Sequence, residues 1–389
     1  MGTVRLGIIG YGTQGSTYAT LIREGMVPGM SLGAVCDIDP AALARAAEAD
    51  PGVPQYSDYH DLLTSGEADA VVTTIPHYLH PEVAMAAIGA GLHTMVDKPA
   101  GVYTSQVARL NEFAAAHPEV TFAVMFNQRA NPLYQRIKEI VDAGEIGAIR
   151  RSNWIITTWW RPQGYYEQSA WRATWGGEGG GVLVNQVPHQ LDLWQWICGV
   201  PRSVFSKVAY GFRRDIAVED EVTALVDYGE GATGVLVTAT HDIVGTDRFE
   251  ILGDRGKIVV EGSKVATVTR LVKDEQDISK EMSMAEVSQL FRGGDNGTAQ
   301  LFTTETLDYD RAWGAQHATV LENFAAHITD GTPLIAPGAD GMNGVRLANA
   351  IHLSSWLGEE VPIDFDESVY LAELNKRIRD EGKYPEREA

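Results

Sequence analysis

The sequence predicts an α/β protein: a doubly wound parallel sheet in its first third, then a second α/β unit with antiparallel strands. Three observations carry that prediction. From Val4 to Met125, short apolar runs alternate with helix-like stretches, the texture of a parallel sheet covered on both faces. A glycine loop, Gly10-Tyr11-Gly12-Thr13-Gln14-Gly15, directly follows the first apolar run and opens the first helix. Beyond about Phe126, strand-like runs flank Gly-bearing turns, the signal of antiparallel hairpins.

Val4–Ile9 reads as a buried strand, and residues 13–24 as the helix behind it. Residues 32–36 and 41–50 are the next strand and helix. The third strand, 70–75, is rich in β-branched residues. The following helix opens with Pro81, whose missing N–H is no loss in a first turn, and aligns Val83, Ala84, Ala87 and Ile88 on one face. Strand 93–96, helix 105–117 and strand 121–125 complete the alternation. A helix over 132–142 then leads into a strand over 149–159. Gly176–Gly181 is a glycine-rich stretch before an apolar segment ending at Cys198. One hairpin pairs 221–228 with 232–240 around Gly229-Glu230-Gly231, and another pairs 248–252 with 257–261. The polar stretch 274–297 reads as an irregular excursion or lid, and helices return near 317–329, 342–357 and 368–380.

A chain of 389 residues holds two or three domains at roughly 100–200 residues each. The change of texture divides it into 1–126, a dinucleotide-binding unit, and 127–389, a substrate-binding and oligomerisation unit. The 31 basic and 52 acidic residues sum to −21, a field that repels nucleic acid and anionic membrane. An anionic ligand must therefore be held by local geometry. Cys36 and Cys198 are far apart and match no disulfide or zinc pattern. With no signal-like h-region and no apolar run near the ~20 residues of a bilayer span, a cytoplasmic protein is expected, with no metal. Seven of the nine tryptophans lie between Trp154 and Trp196, as a packed core patch or an aromatic-lined pocket.

The glycine loop carries the strongest chemistry. Gly10 permits the tight turn, Gly12 the approach of backbone to a pyrophosphate, and Gly15 close helix–strand packing. The helix start offers N–H donors and partial positive charge to phosphates. Asp37 ends the next strand, placed to accept the ribose hydroxyls of a dinucleotide. Asp39 follows and no Arg stands at 38–40, so NAD is favoured over NADP, whose 2′-phosphate would face two carboxylates. Ile75, Pro76, His80, Lys98 and Asn127 complete the expected cofactor contacts. His77 and His80 read equally as helix-capping turn residues.

Lys98, in Val96-Asp97-Lys98-Pro99, stands at a strand's carboxyl end, where open α/β sheets bind ligands. Burial and a positive nicotinamide would bring its pKa into acid–base range. In the segment 179–192, Asn185 and His189 are i, i+4 and share a face if helical, with Asp192 three beyond to orient His189. Pro188 requires that this helix be kinked or start late. Trp159, Trp160, Tyr165, Trp171 and Arg172 are candidate substrate contacts, with Trp175 a further aromatic to test, while Trp194 and Trp196 read as core or interface.

These motifs resemble the Gfo/Idh/MocA family of NAD(P)-dependent oxidoreductases. The resemblance spans nearly the whole chain. Asp97-Lys98-Pro99 looks like the family's E-K-P, with Asp for Glu. Gly144-Glu145-Ile146-Gly147 resembles its G-E-I-G, and 179–192 its G-G-G-x-L-x-D-x-G-x-H-x-x-D. The resemblance implies a Rossmann domain followed by a large, mostly antiparallel sheet whose open face packs in homodimers or homotetramers. It also implies a catalytic Lys, Asp and His. Lys98 and His189 match; Asn185 replaces the Asp, and Val187-Pro188 replaces Gly-x. Asn cannot act as a base, so Asn185 would hold the substrate while Lys98 or His189 moves the proton. Trp171-Arg172 resembles the family's W-R before the glycines.

The expected function is an NAD-dependent dehydrogenase acting on a secondary hydroxyl of a sugar, glycoside or cyclic polyol, or on the matching ketone. Two alternatives share the fold: a redox-neutral NAD-dependent glycoside hydrolase, and a non-catalytic cofactor-sensing regulator.

Overall fold

A computed structural model describes residues 2–292, 301–309 and 314–388. The strands β1 (Val4–Ile9), β2 (Met30–Cys36), β3 (Gln55–Tyr56), β4 (Ala70–Thr73), β5 (His93–Val96) and β6 (Phe122–Val124) form one sheet in the order β3-β2-β1-β4-β5-β6. Every pairing in it is parallel. The apolar runs become strands because both faces are covered: Leu6, Ile8, Val71 and Val72 are all fully buried. The strand order reverses between β1 and β4, which opens a crevice beyond their carboxyl ends. The sequence reading missed β3 and the helix Tyr59–Thr64. A two-residue strand has no period to detect.

The second sheet contains β7 (Ile149–Ile156), β8 (Ser203–Tyr210), β9 (Glu219–Gly229), β10 (Ala232–Ala239), β11 (Asp247–Gly253), β12 (Gly256–Glu261), β13 (Val265–Leu271), β14 (Phe302–Asp308) and β15 (Val361–Pro362). Their order is β14-β13-β12-β11-β7-β10-β9-β8-β15, antiparallel throughout except between β7 and β10. Along β9, Val222, Ala224 and Val226 are buried while Leu225 is exposed, so one face packs inward and the other faces out. Both expected hairpins form.

Three expectations need correction. The strand predicted to 159 ends at Ile156, because Thr157 pairs with Thr246 and gives its hydroxyl to Asp242 as the chain turns away. The stretch expected to be irregular holds two helices, Glu275–Glu281 and Met284–Arg292, and its end lies outside the described residues. Asn185 and His189 do not share one α-helix. Asn185 belongs to a wide turn of π type, Val182–Gln186, and the helix Pro188–Cys198 starts late with Pro188 in its first turn.

The sequence boundary at residue 126 is not a boundary in space. The late helix Ala315–Asp330 buries Val320, Leu321 and Phe324 in the same cluster as Leu6, Ile8 and Val72 of the parallel sheet. The helix Gly341–Leu357 likewise adds Met342 and Val345 to a cluster with Val96 and Val124. The second of these helices also buries Leu347, Ala350 and Ile351 in the cluster of the nine-stranded sheet, and so joins the two sheets.

Candidate active site

The glycine loop runs from β1 into the helix Thr13–Arg23, whose N-terminus has no side-chain cap. Gly10 has φ +99°, and a Cβ there would fall 2.6 Å from the Thr74 carbonyl. At Gly15 a Cβ would run into the Gly10 carbonyl, so any larger residue would push the helix off the strand. At Gly12 a Cβ would meet nothing within 4 Å. That open backbone, beside uncapped N–H donors, is the cradle a pyrophosphate needs. The Asp37 carboxylate accepts the backbone N–H of Tyr11 at 2.6 Å and of Asp39 at 2.8 Å. The neighbouring helix is capped by Asp39, which accepts from Ala41 N at 2.9 Å, so capping is not the task of Asp37. Ile75 and Pro76 stand beside the loop at the end of β4. These residues fit NAD.

Lys98 follows β5 and precedes a cis proline, Pro99. Its ammonium donates to the Asn185 backbone carbonyl at 2.8 Å. Burial pulls the Lys98 pKa down, while Asp97 and Glu178 hold it up. Burial also raises the Asp97 carboxyl to about 6. The Asn185 side-chain amide donates to the buried Glu178 carboxylate. Glu178 further accepts the Ala173 N–H at 2.6 Å and pairs with Arg172 at 3.4 Å. Lys98, Asn185 and Glu178 are thus one connected unit.

His189 is pushed well below its ordinary pKa by burial, then by Lys98 and His317. Its Nδ1 has no partner among the described residues. The expectation that Asp192 orients it fails. Asp192 instead takes a two-pronged bond from buried Arg129, at 2.9 and 2.6 Å, and Arg129 reaches on to Asp340 at 2.6 Å. A guanidinium fork matches a carboxylate better than an imidazole does, and it locks the helices together. Asn127 lies next to His317, with 2.9 Å between its amide nitrogen and Nε2. His80 spans the strand end, its Nδ1 donating to the Pro99 carbonyl at 2.7 Å. His77 Nδ1 meets the Glu178 carbonyl at 3.2 Å, and its ring edge faces Trp171.

The tryptophans divide. Trp154 stacks on Phe249, and Trp194 donates to Ser152, both in the core. Trp175 is also core, not pocket: it is buried edge-on against His352 and Trp356, with its N–H on the Ala217 carbonyl. Trp160 is 39% exposed, apart from the core. Trp159, Tyr165 and Trp171 form a wall laced with guanidinium groups. Arg161 lies over Trp159 and Tyr165, at 5.8 and 5.0 Å, and Arg172 over Tyr165 and Trp171, at 4.6 and 4.8 Å. Arg172 also donates to the Tyr165 hydroxyl at 2.7 Å.

Glu178 and His317 were not anticipated. Glu178 carried a visible signal, a lone carboxylate inside Gly176-Gly177-Glu178-Gly179-Gly180-Gly181. His317 carried none, because only the fold brings it to Asn127.

A dinucleotide cradle and, at the carboxyl edge of the same sheet, a lysine joined to buried acids, with a neutral imidazole on the helix Pro188–Cys198, define an NAD-binding oxidoreductase. Comparison with known proteins agrees. Residues 4–126 match the oxidoreductase family with NAD-binding Rossmann fold, and residues 134–259 match the GFO/IDH/MocA C-terminal domain. The chain belongs to the Gfo/Idh/MocA family. It is 24% identical to myo-inositol 2-dehydrogenase of Thermotoga maritima over 94% of this chain and 100% of that one. It resembles the WlbA dehydrogenase of Bordetella pertussis, solved with NADH and UDP-GlcNAcA, at 25% identity and TM-score 0.74 over 94% of this chain and 100% of that one. Levoglucosan dehydrogenase, solved with NADH and levoglucosan, shares the fold at TM-score 0.78 and 19% identity, over 93% of this chain and 100% of that one.

Proposed function

We propose that the protein is an NAD-dependent dehydrogenase of a secondary hydroxyl on a sugar, glycoside or cyclic polyol, or a reductase of the matching ketone. The observation that carries this reading is the placement of Lys98. Its ammonium is held on the Asn185 carbonyl, at the strand edge where the nucleotide loop opens. The inositol and levoglucosan dehydrogenases among its relatives support the substrate class.

Bound NAD supplies the hydride acceptor. Lys98, in the neutral amine form that burial favours, takes the hydroxyl proton and becomes the ammonium. Its protonated form is favoured by Asp97 and Glu178, whereas no carboxylate is among the groups that shift His189, which burial and Lys98 push down. A proton on His189 would set a second buried cation beside Lys98, so His189 stays neutral and orients the substrate oxygen by hydrogen bonding. Asn185 fixes the Lys98 amine through its carbonyl, and Asp37 selects the ribose.

The test is a screen of sugars, glycosides and polyols with NAD and with NADP, read by absorbance of the reduced cofactor. Reduction of NAD by at least one class is expected, with NADP poorer. Release of an aglycone without net reduction would replace the dehydrogenase reading with a hydrolytic one. Lys98→Met is expected to keep cofactor binding and to cut turnover by about 10² or more. Near-normal turnover in that variant would remove Lys98 from the proton path.

A further inference from the structure

We infer that the substrate carries a negatively charged group, a carboxylate or phosphate on the sugar or polyol, and that Arg161 receives it. The inference rests on the dehydrogenase reading for the reacting end and concerns the other end of the same ligand.

The argument begins with which charges are already answered. Lys98 has Asp97 and Glu178 as acidic neighbours, and Arg172 has Glu178. Arg161 has no carboxylate partner among the described residues. Among the described residues its side chain donates from Nη1 to the Trp160 carbonyl at 3.0 Å. Its guanidinium lies over two aromatic rings, 5.8 Å from the centre of Trp159 and 5.0 Å from that of Tyr165. A guanidinium against aromatic rings with N–H groups to spare can make a two-pronged bond to an oxyanion.

The backbone beneath it is also pinned. Arg214 Nε donates to the Arg161 carbonyl at 2.7 Å, and Gln163 exchanges bonds with the backbone of Asp215 at 3.0 and 3.3 Å. The adjacent loop therefore brings a further cation up to the same rim, although Asp215 stands there as well.

Arg161 is tied to the reacting centre by a continuous chain of contacts. Lys98 bonds Asn185, Asn185 bonds Glu178, Glu178 pairs with Arg172, Arg172 bonds Tyr165, and Arg161 lies over Tyr165. Its charge is felt there too, since Arg161 is one of the groups that push the Lys98 pKa down. With no carboxylate partner among the described residues, the Arg161 charge is left for a ligand to answer. In a chain of net charge −21, such a local cation is also what an anionic ligand requires to enter. Guanidinium groups already cover the ring of Tyr165, which leaves that wall less suited to stacking a bare sugar face.

The experiment measures binding and turnover on the same samples. Sugar acids, sugar phosphates and their neutral parents are titrated into the protein–NADH complex by calorimetry, and reduction of NAD is followed in parallel. One anionic series is expected to bind about tenfold or more tightly than its neutral parents, as charge-assisted hydrogen bonds allow, and which series does so separates carboxylate from phosphate. Arg161→Gln is expected to collapse that preference, and Arg161→Lys to keep part of it. Equal affinity for anions and parents, or a preference unaltered in Arg161→Gln, overturns the inference. An anion bound through Arg161 without any reduction of NAD leaves the inference standing and overturns the dehydrogenase reading. Preferred binding and turnover of neutral polyols does the reverse.

Discussion

Asn185 stands where the family motif has Asp, and the reason lies in its partner. Its amide donates to Glu178, a carboxylate buried beside Lys98. An Asp at this position would set two carboxylates against each other out of water, and one would have to take up a proton. Asn185→Asp is expected to cost about 1–3 kcal/mol of stability, the usual penalty for an unmatched buried polar contact. Adding Glu178→Gln should restore most of it, as read by denaturant unfolding of the single and double variants. Additive losses would mean that the two residues do not interact. The buried histidines give a second test. Burial holds His80 and His317 at about 4, below the ordinary 6.5, so the unfolded chain binds their protons first. Their contribution to stability is complete above pH 6.5 and is lost as pH falls toward 4, by up to about 3 kcal/mol each. Asp97, raised to about 6, works in the opposite direction over the same range. The comparison that isolates one group is His317→Asn, which should flatten the acid-side fall in melting temperature. An unchanged slope would show that His317 is not buried in its neutral form.

At the scale of elements, the wide turn Val182–Gln186 decides where Lys98 points, and Glu219 holds that turn. One Glu219 oxygen accepts the N–H groups of Gly181 and Leu183, each at 2.9 Å, and the other lies 3.1 Å from His352 Nε2. Both side chains are fully buried. Glu219→Ala is expected to lower stability by about 2–6 kcal/mol, as for leaving two buried N–H groups without an acceptor, and Glu219→Gln by less. Activity should fall in both through kcat, because the Asn185 carbonyl shifts under Lys98. A variant that folds less stably yet turns over normally would make Glu219 purely structural. This element also marks the limit of what the sequence discloses. The parallel strands were legible from apolar alternation, and the nucleotide loop from glycine spacing. Pro188 announced a late helix start but not the π-type turn before it. A turn of that width has no periodic signature and is set by a carboxylate on β9, far along the chain. The error over Asp192 has the same origin, since helical spacing placed it near His189 while the claim of Arg129 on it comes from tertiary packing.

At the scale of the molecule, the nine-stranded sheet covers its inner face with helices and turns Ile155, Phe205 and Leu225 outward. Exposed apolar side chains along adjacent strands are expected to meet a second copy of the chain. Light scattering should give a mass of at least twice 42.3 kDa, and Leu225→Glu should reduce it. A monomer at micromolar concentration would count against that assembly. No helix among the described residues is long and apolar enough to cross a membrane. That the chain builds one parallel and one mostly antiparallel sheet was readable from texture alone. The late helices that cover the first of them were seen as helices but not as members of the first domain.

That last feature reaches into biosynthesis. The nucleotide-binding sheet borrows Val320, Leu321 and Phe324 from a helix that leaves the ribosome only after every strand of the second sheet but the short β15 has been made. Until then, Leu6, Ile8 and their neighbours lack part of their cover. The cofactor domain therefore cannot mature first and wait for its partner. Each nascent chain must carry an unfinished cradle through most of its translation, and a message cut short before codon 315 would yield a protein unfit to keep its nucleotide.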